Sequence, residues 1–329
     1  MKIRLVSDLH LDINAEYSLD FKAEGLDDMF TIVAGDICGD PHKAAQWVKH
    51  NINRGAFVSG NHDVYDTEMP IEDVKAFFAS EFPADSNVTY FDNEVGVVSK
   101  EIGDNILLVA DVMYTDYKMV AGYSNPSGDV KRNMELADPW RSGRGGMNDF
   151  NYGTCKKTWP GVNDKRSLRE SRLVPEYYLE HHEKAFKAFT DAVERNSSKD
   201  IVIATHHCLS PKCIDIEHED CSFVASYVSD KEEWVKSHPN IKCICSGHIH
   251  ARKTFKVGNA VYAMNPLGYC TEHFKQWSPE FKEYVMWTPD CIIDTSTWTV
   301  EFKPHEMSGW ESKYEMHLEK FKKMYPFFL

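Results

Sequence analysis

No apolar run in this chain approaches the roughly 20 residues that a membrane-spanning helix needs, because charges interrupt each one well before that length. The opening Met1-Lys2-Ile3-Arg4-Leu5-Val6 is too short an apolar run for a signal peptide, so a cytoplasmic protein with no membrane partner is expected. Positive charge is scarce as well. Thirty-seven Lys and Arg stand against 51 Asp and Glu, a formal charge of −14, which disfavours binding to bulk nucleic acid. Nine cysteines are an odd number and show no Cys-x-x-Cys pairing, which argues against a zinc ribbon and predicts reduced thiols. Cys243 and Cys245 lie two apart in an apolar run, so both side chains fall on one face of a strand. No internal repeat is visible. With 42% hydrophobic and 27% charged residues over 329 positions, disordered, collagen-like and coiled-coil readings are excluded.

What the sequence does have is an alternation. Short apolar runs at Ile3 to Ser7, Phe30 to Ala34, Ala56 to Val58, Val88 to Phe91, Ile106 to Met113, Ile201 to Ala204 and Ile241 to Cys245 read as buried strands. Helical spacing between them places Ala44, Ala45, Trp47 and Val48 on one face, and Val74, Phe77, Phe78 and Phe82 on another after Pro70. A longer helix is predicted from Pro175 to about Glu194. Further strands are predicted at Ala260 to Met264, Cys291 to Ile293 and Trp298 to Phe302, and an amphipathic helix over Gly309 to Tyr325. This pattern implies an α/β fold with a mainly parallel, covered sheet. Residues 114–172 show no sustained period and hold ten basic against five acidic residues between 131 and 172. They read as a long insertion, either a solvated loop or a segment that folds over an active site and offers Arg or Lys to an anion.

Five polar clusters each follow an apolar strand: Asp8-x-His10, Gly35-Asp36, Gly60-Asn61-His62-Asp63, Thr205-His206-His207 and Gly247-His248-x-His250. The C-terminal ends of strands in a mainly parallel sheet lie along one edge, so residues 240 apart in sequence are brought to one crevice. Carboxylate, carboxamide and imidazole form an O/N ligand set suited to Mn, Fe or Zn. A lone Asp-x-His or His-x-His is more often structural; five in series is a metal-site signature.

In order and spacing these blocks resemble the calcineurin-like metallophosphoesterase family over about residues 3 to 268. The resemblance implies a four-layer α-β-β-α sandwich of two mixed sheets, carrying a dinuclear centre at the strand ends. It assigns Asp8, His10 and His250 to one metal, Asn61, His206 and His248 to the other, and Asp36 as the bridge. His62 would lie outside that shell, near the leaving group. Asp63 either orients His62 or holds a turn; because successive strand side chains point opposite ways, His207 is expected to support the centre rather than ligate, with ligation the alternative. The implied cofactors are two divalent ions, manganese first, with Fe, Zn, Ni or Co as alternatives. Such ions, about 3.5–4 Å apart, activate a bridging water as nucleophile, so no Ser or Cys is required. The expected organisation is a catalytic domain over residues 1–302, with the 114–172 insertion, and a helical tail over 303–329.

Looser similarity to a little-characterised bacterial subgroup extends to Leu107 through Tyr114, Met147-Asn148-Asp149, Thr205-His206-His207 with Ser210-Pro211, and Asn265-Pro266-Leu267-Gly268-Tyr269. Protein phosphatases of the same superfamily place Arg beside the second and third motifs; here the neighbours are Ile37-Cys38-Gly39 and Ser59. That departure points to a phosphodiesterase acting on a small or nucleotide-like substrate. Arg141, Arg144, Arg166 and Arg169 are the candidates for a substrate grip if the substrate is a monoester. A DNA or RNA nuclease is the alternative, with Tyr123, Trp140, Tyr152 and Trp159 as stacking sites. A metal-binding module without catalysis is a third. Oligomeric state is left open.

Overall fold

The computed structural model describes residues 1–14, 29–120, 124–143, 145–159, 171–215, 218, 221–269 and 291–302. The predicted C-terminal helix and tail lie outside these residues, as do Tyr123, Arg144, Arg166 and Arg169. In chain order the first half runs β1 (Lys2–Val6), β2 (Phe30–Ala34), α1 (Pro41–Asn51), β3 (Gly55–Val58), α2 (Ile71–Glu81), β4 (Val88–Tyr90), β5 (Ser99–Gly103) and β6 (Ile106–Asp111). Three short helices follow, α3 (Val130–Ala137), α4 (Pro139–Ser142) and α5 (Asp149–Tyr152), then the small ribbon β7 (Thr154–Cys155) and β8 (Ser171–Arg172). The second half runs α6 (Pro175–Arg195), β9 (Asp200–Thr205), α7 (Glu232–Ser237), β10 (Ile241–Ser246), β11 (Lys253–Val257), β12 (Ala260–Met264), β13 (Cys291–Asp294) and β14 (Thr299–Phe302).

Two six-stranded mixed sheets result, ordered β14-β13-β1-β2-β3-β4 and β11-β12-β10-β9-β6-β5. Neighbours within β1 to β4 are parallel, as are those within β12, β10, β9 and β6, while β13, β14, β11 and β5 pair antiparallel at the flanks. The twofold period of each strand sorts its side chains into two cores. Ile3, Leu5, Ile32 and Ala34 meet Leu108, Ala110, Val202 and Ala204 between the sheets. The intervening Val6, Val33 and Phe57 face Ala44 and Val48 of α1 and Val74 and Phe78 of α2. On the other sheet Leu107, Val109, Ile201 and Ile203 face Ala185, Phe189 and Val193 of α6. The layers are therefore helix, sheet, sheet, helix, as the four-layer expectation has it. Burial on both faces is why these strands read as unbroken apolar runs.

Local signals set the helix ends. The Asp40 carboxylate accepts from the His42 and Lys43 amides, and Pro41 supplies a preset first turn, so α1 starts there. Pro175 does the same for α6. Cys243 and Cys245 do share a face, their sulfurs 3.8 Å apart in the inter-sheet core, and all eight described cysteines are unpaired. Strands β5 and β11 are not visible as apolar runs, because each is a sheet edge with one buried side chain, Ile102 and Val257 respectively. Among the described residues no helix is long and apolar enough to cross a membrane.

Candidate metal centre

The loops leaving the C-terminal ends of β1, β2, β3, β9 and β10 are stitched to one another. The Asp8 amide donates to the Gly35 carbonyl at 2.9 Å, the Gly247 amide to the His206 carbonyl at 3.1 Å, and the His248 amide to Asp8 Oδ1 at 2.9 Å. Gly35 and Gly60 are where the loops approach most closely. A Cβ on Gly35 would stand 2.4 Å from His206 Nδ1, and one on Gly60 would stand 1.9 Å from Asp36 Oδ1. Asp8, His10, Asp36 and His248 have left-handed backbones, with φ of 54°, 44°, 55° and 68°. Such strain concentrates at functional sites, where the surroundings over-determine a conformation.

The side chains those loops carry converge in a continuous series. Asp8 Oδ1 lies 3.6 Å from His250 Nε2, which lies 3.1 Å from His10 Nε2, which lies 3.9 Å from Asp36 Oδ2. The same Asp36 oxygen is 3.3 Å from His206 Nε2, and Asn61 Oδ1 is 2.9 Å from both His206 Nε2 and His248 Nδ1. Adjacent ligands on a sphere with bonds of about 2.0–2.2 Å stand roughly 3–3.5 Å apart, so this spacing fits metal coordination. Asp36 joins the two halves of the series. Asp8 Oδ2 is buried with no hydrogen-bond partner, a donor atom that a cation would satisfy.

Electrostatics agrees with the geometry. Burial works against ionising Asp36, but the imidazoles of His206 and His62 outweigh it and hold the carboxyl well below the usual range. Burial likewise opposes charge on His206, yet the Asp36 carboxylate raises it to about 9. His10 and His248 are pushed well below the ordinary histidine value by burial, which keeps their lone pairs free. All ion pairs of Asp8 and Asp36 among the described residues are with histidines. The residues present therefore fit two divalent cations, one at Asp8, His10 and His250 and one at Asn61, His206 and His248, with Asp36 between.

His62 sits at the rim. Its amide donates to Asp36 Oδ1 at 2.8 Å, its Nε2 is 2.8 Å from the Tyr269 hydroxyl, and its ring packs 4.0 Å from that of Tyr65. Asp63 does not reach that imidazole. Its carboxylate accepts from the amides of Ile37, Cys38 and Gly60, clamping the second and third loops together. Burial, helped by the Asp36 charge, raises Asp63 to about 7. His207 lies under His248, the ring centroids 4.1 Å apart, with neither ring nitrogen hydrogen-bonded. Arg141 is committed elsewhere, to Glu176 at 2.6 Å and Asp138 at 3.1 Å.

A cleft of about 190 Å³ opens onto the centre. Asp36, Asn61, His62, His248 and His250 form its floor, and Tyr65, Met147, Phe223, Tyr227 and Tyr269 much of its wall. No lysine or arginine lines it among the described residues, and Arg141 is not part of its wall. Two features escape the sequence reading. Tyr269 and Asp149 belong to blocks that stand out in the sequence, but nothing there shows that one meets His62 and that Asp149 Oδ1 accepts from Asn61 Nδ2 at 2.9 Å.

A model of the family described as calcineurin-like phosphoesterase matches residues 1–252. No curated protein matches the chain. Among solved structures, a phosphopantetheinyl hydrolase from Mycobacterium tuberculosis is 16% identical, with a TM-score of 0.62 over 88% of this chain and 96% of that one. At that identity the likeness is one of fold. A putative 5'-nucleotidase from Staphylococcus aureus in complex with alpha-ketoglutarate is 10% identical, with a TM-score of 0.41 over 97% of this chain and 58% of that one.

Proposed function

The chain belongs to the calcineurin-like phosphoesterase family of metal-dependent phosphoester hydrolases, and from that premise we propose that it hydrolyses small phosphodiesters bearing a flat or apolar group. The observation that carries this reading is the cleft wall, aromatic and without Lys or Arg among the described residues. A monoester dianion needs cationic partners beyond the centre, whereas a diester carries one charge and needs fewer. Tyr65, Phe223, Tyr227 and Tyr269 offer faces for a ring such as a nucleobase.

In this reading Asp8, His10, His250, Asn61, His206, His248 and Asp36 hold two divalent ions, manganese being the first candidate. When bound, such ions supply Lewis acidity toward phosphate oxygens and bring a water's pKa toward neutrality. His62 Nε2, oriented by the Tyr269 hydroxyl, faces the cleft where a leaving oxygen gathers charge, and it stabilises or protonates that oxygen. Asp63 and His207 hold the loops and rings in register. The net charge of −14 weighs against a nuclease.

Initial rates on a matched aryl phosphate diester and monoester, with stripped protein resupplied in turn with Mn, Fe, Zn, Ni, Co and Mg, test this. The diester is expected to react about tenfold faster or more, equal to about 1.4 kcal/mol of transition-state stabilisation. A faster monoester would overturn the reading.

A further inference from the structure

We infer that Asp149 is a positioning residue that fixes which end of the Asn61 carboxamide faces the centre. The inference rests on the reading of Asn61 as a metal ligand. A carboxamide is nearly symmetric in shape, but only its oxygen donates a lone pair; turned over, it would aim two N–H groups at the nitrogens of His206 and His248. In the structure Nδ2 donates to Asp149 Oδ1 at 2.9 Å, and that leaves Oδ1 at 2.9 Å from both imidazole nitrogens. Asp149 Oδ1 accepts from two donors and so presents no hydrogen of its own, which selects one of the two orientations. The Tyr65 hydroxyl donates to the same Asp149 oxygen and holds it in place. Asp149 is fully buried, where desolvation raises its carboxyl and Tyr65, Asn61 and Tyr178 oppose that rise. Burying a carboxylate is costly to folding, which points to a role at Asn61.

Asp149 reaches Asn61 from 88 positions away, and its loop is braced to do so. The Met147 amide donates to the Ala137 carbonyl at 2.8 Å and the Leu173 amide to the Gly153 carbonyl at 2.9 Å. Arg172, nearly buried, grips Asp138 through two hydrogen bonds of 2.9 and 3.0 Å and also reaches the Phe150 carbonyl at 3.3 Å. The loop-rich stretch after Tyr114 thus contributes directly to the geometry of one half of the centre.

The test is titration of the metal-stripped full-length protein with Mn, followed calorimetrically. In Asp149→Ala the equivalent assigned to Asn61, His206 and His248 is expected to weaken about 10- to 100-fold, as removal of such outer partners does, with the other unchanged. The paired exchange Asn61→Asp with Asp149→Asn is expected to recover both equivalents, since a carboxylate presents an oxygen either way and the carboxamide introduced opposite it can donate to it. Two equivalents of wild-type affinity in a folded Asp149→Ala protein would overturn the inference. Should Asp149→Ala fail to fold, the exchange decides: recovery supports positioning, while a weakened equivalent or an unfolded chain refutes it. His206→Ala is the control; if that variant also keeps both equivalents, it is the reading of the metal ligands that fails.

Discussion

Two clusters of carboxylate and imidazole occupy this molecule, and they differ in whether a lysine stands among them. Donor atoms of Asp8, His10 and His250 lie within 4.8 Å of one another, and so do those of Asp92, Glu94 and His181. In the second cluster Lys75 of α2, 2% exposed, places its ammonium 3.1 Å from Asp92 and 2.7 Å from Glu94. Tyr177 donates to Glu94 at 2.9 Å and Asn93 to Asp111 at 3.0 Å, and the Lys75 ammonium lies 5.6 Å from the ring centroids of both Tyr114 and Tyr177. That cluster carries its cation covalently. Around Asp8 and Asp36, the described residues supply histidines and no lysine or arginine. Donor spacing alone therefore does not separate the two clusters; a lysine within ion-pair distance, present at Asp92 and absent at Asp8 and Asp36 among the described residues, does.

The sharpest way to break this contrast is to change one member of each cluster. Asp36→Asn is expected to cut turnover at least about a thousandfold, since it removes the group joining both halves, with the fold intact by circular dichroism. Activity near wild type in that folded variant would refute the assignment. Lys75→Met should do the reverse, lowering stability by about 3 kcal/mol by taking the cation from buried Asp92, while metal binding stays as it was. Its pH dependence has a defined sign. Burial pushes Asp92 and Glu94 up, but Lys75 first and His181 second more than offset it and hold both below their ordinary values. The wild type therefore keeps this stabilisation above about pH 4 and loses it as acid protonates the pair. Without Lys75 only His181 and local hydrogen bonds oppose burial at Asp92, so the variant has less stabilisation to lose as pH falls. Urea titrations from pH 7 to 3 should show the two proteins converging; a constant gap would discount the pairing. The smallest effect belongs to Tyr269→Phe, which removes one hydrogen bond to His62. A fall of about two- to tenfold in kcat, with KM nearly constant, is expected. An unchanged kcat would leave Tyr269 a wall residue only.

The convergence of these side chains was legible in the sequence for a physical reason. Parallel strands buried on both faces make unbroken apolar runs, and the residues ending each run must share an edge, so Asp8, Asp36, Asn61, His206 and His248 announce one crevice. The Lys75 cluster gives no such signal. Lys75 sits on a helix, Asp92 and Asp111 beyond and at the end of strands, and His181 on α6, and only tertiary packing brings them together. Asp149 and Tyr269 were hidden for the same reason, since a four-residue helix and a loop have no period to read. The basic excess between 131 and 172 was visible, but not the pairing of two of its members, Arg141 and Arg172, with Asp138 and Glu176.

The left-handed backbones at Asp8, His10, Asp36 and His248 bear on how the chain tolerates change. Glycine at any of these positions would relax its turn by about 1 kcal/mol while deleting a side chain of the centre. Selection for heat resistance alone would accordingly erode the chemistry before the core, and a library ranked by melting temperature would be enriched in sturdy, inactive descendants.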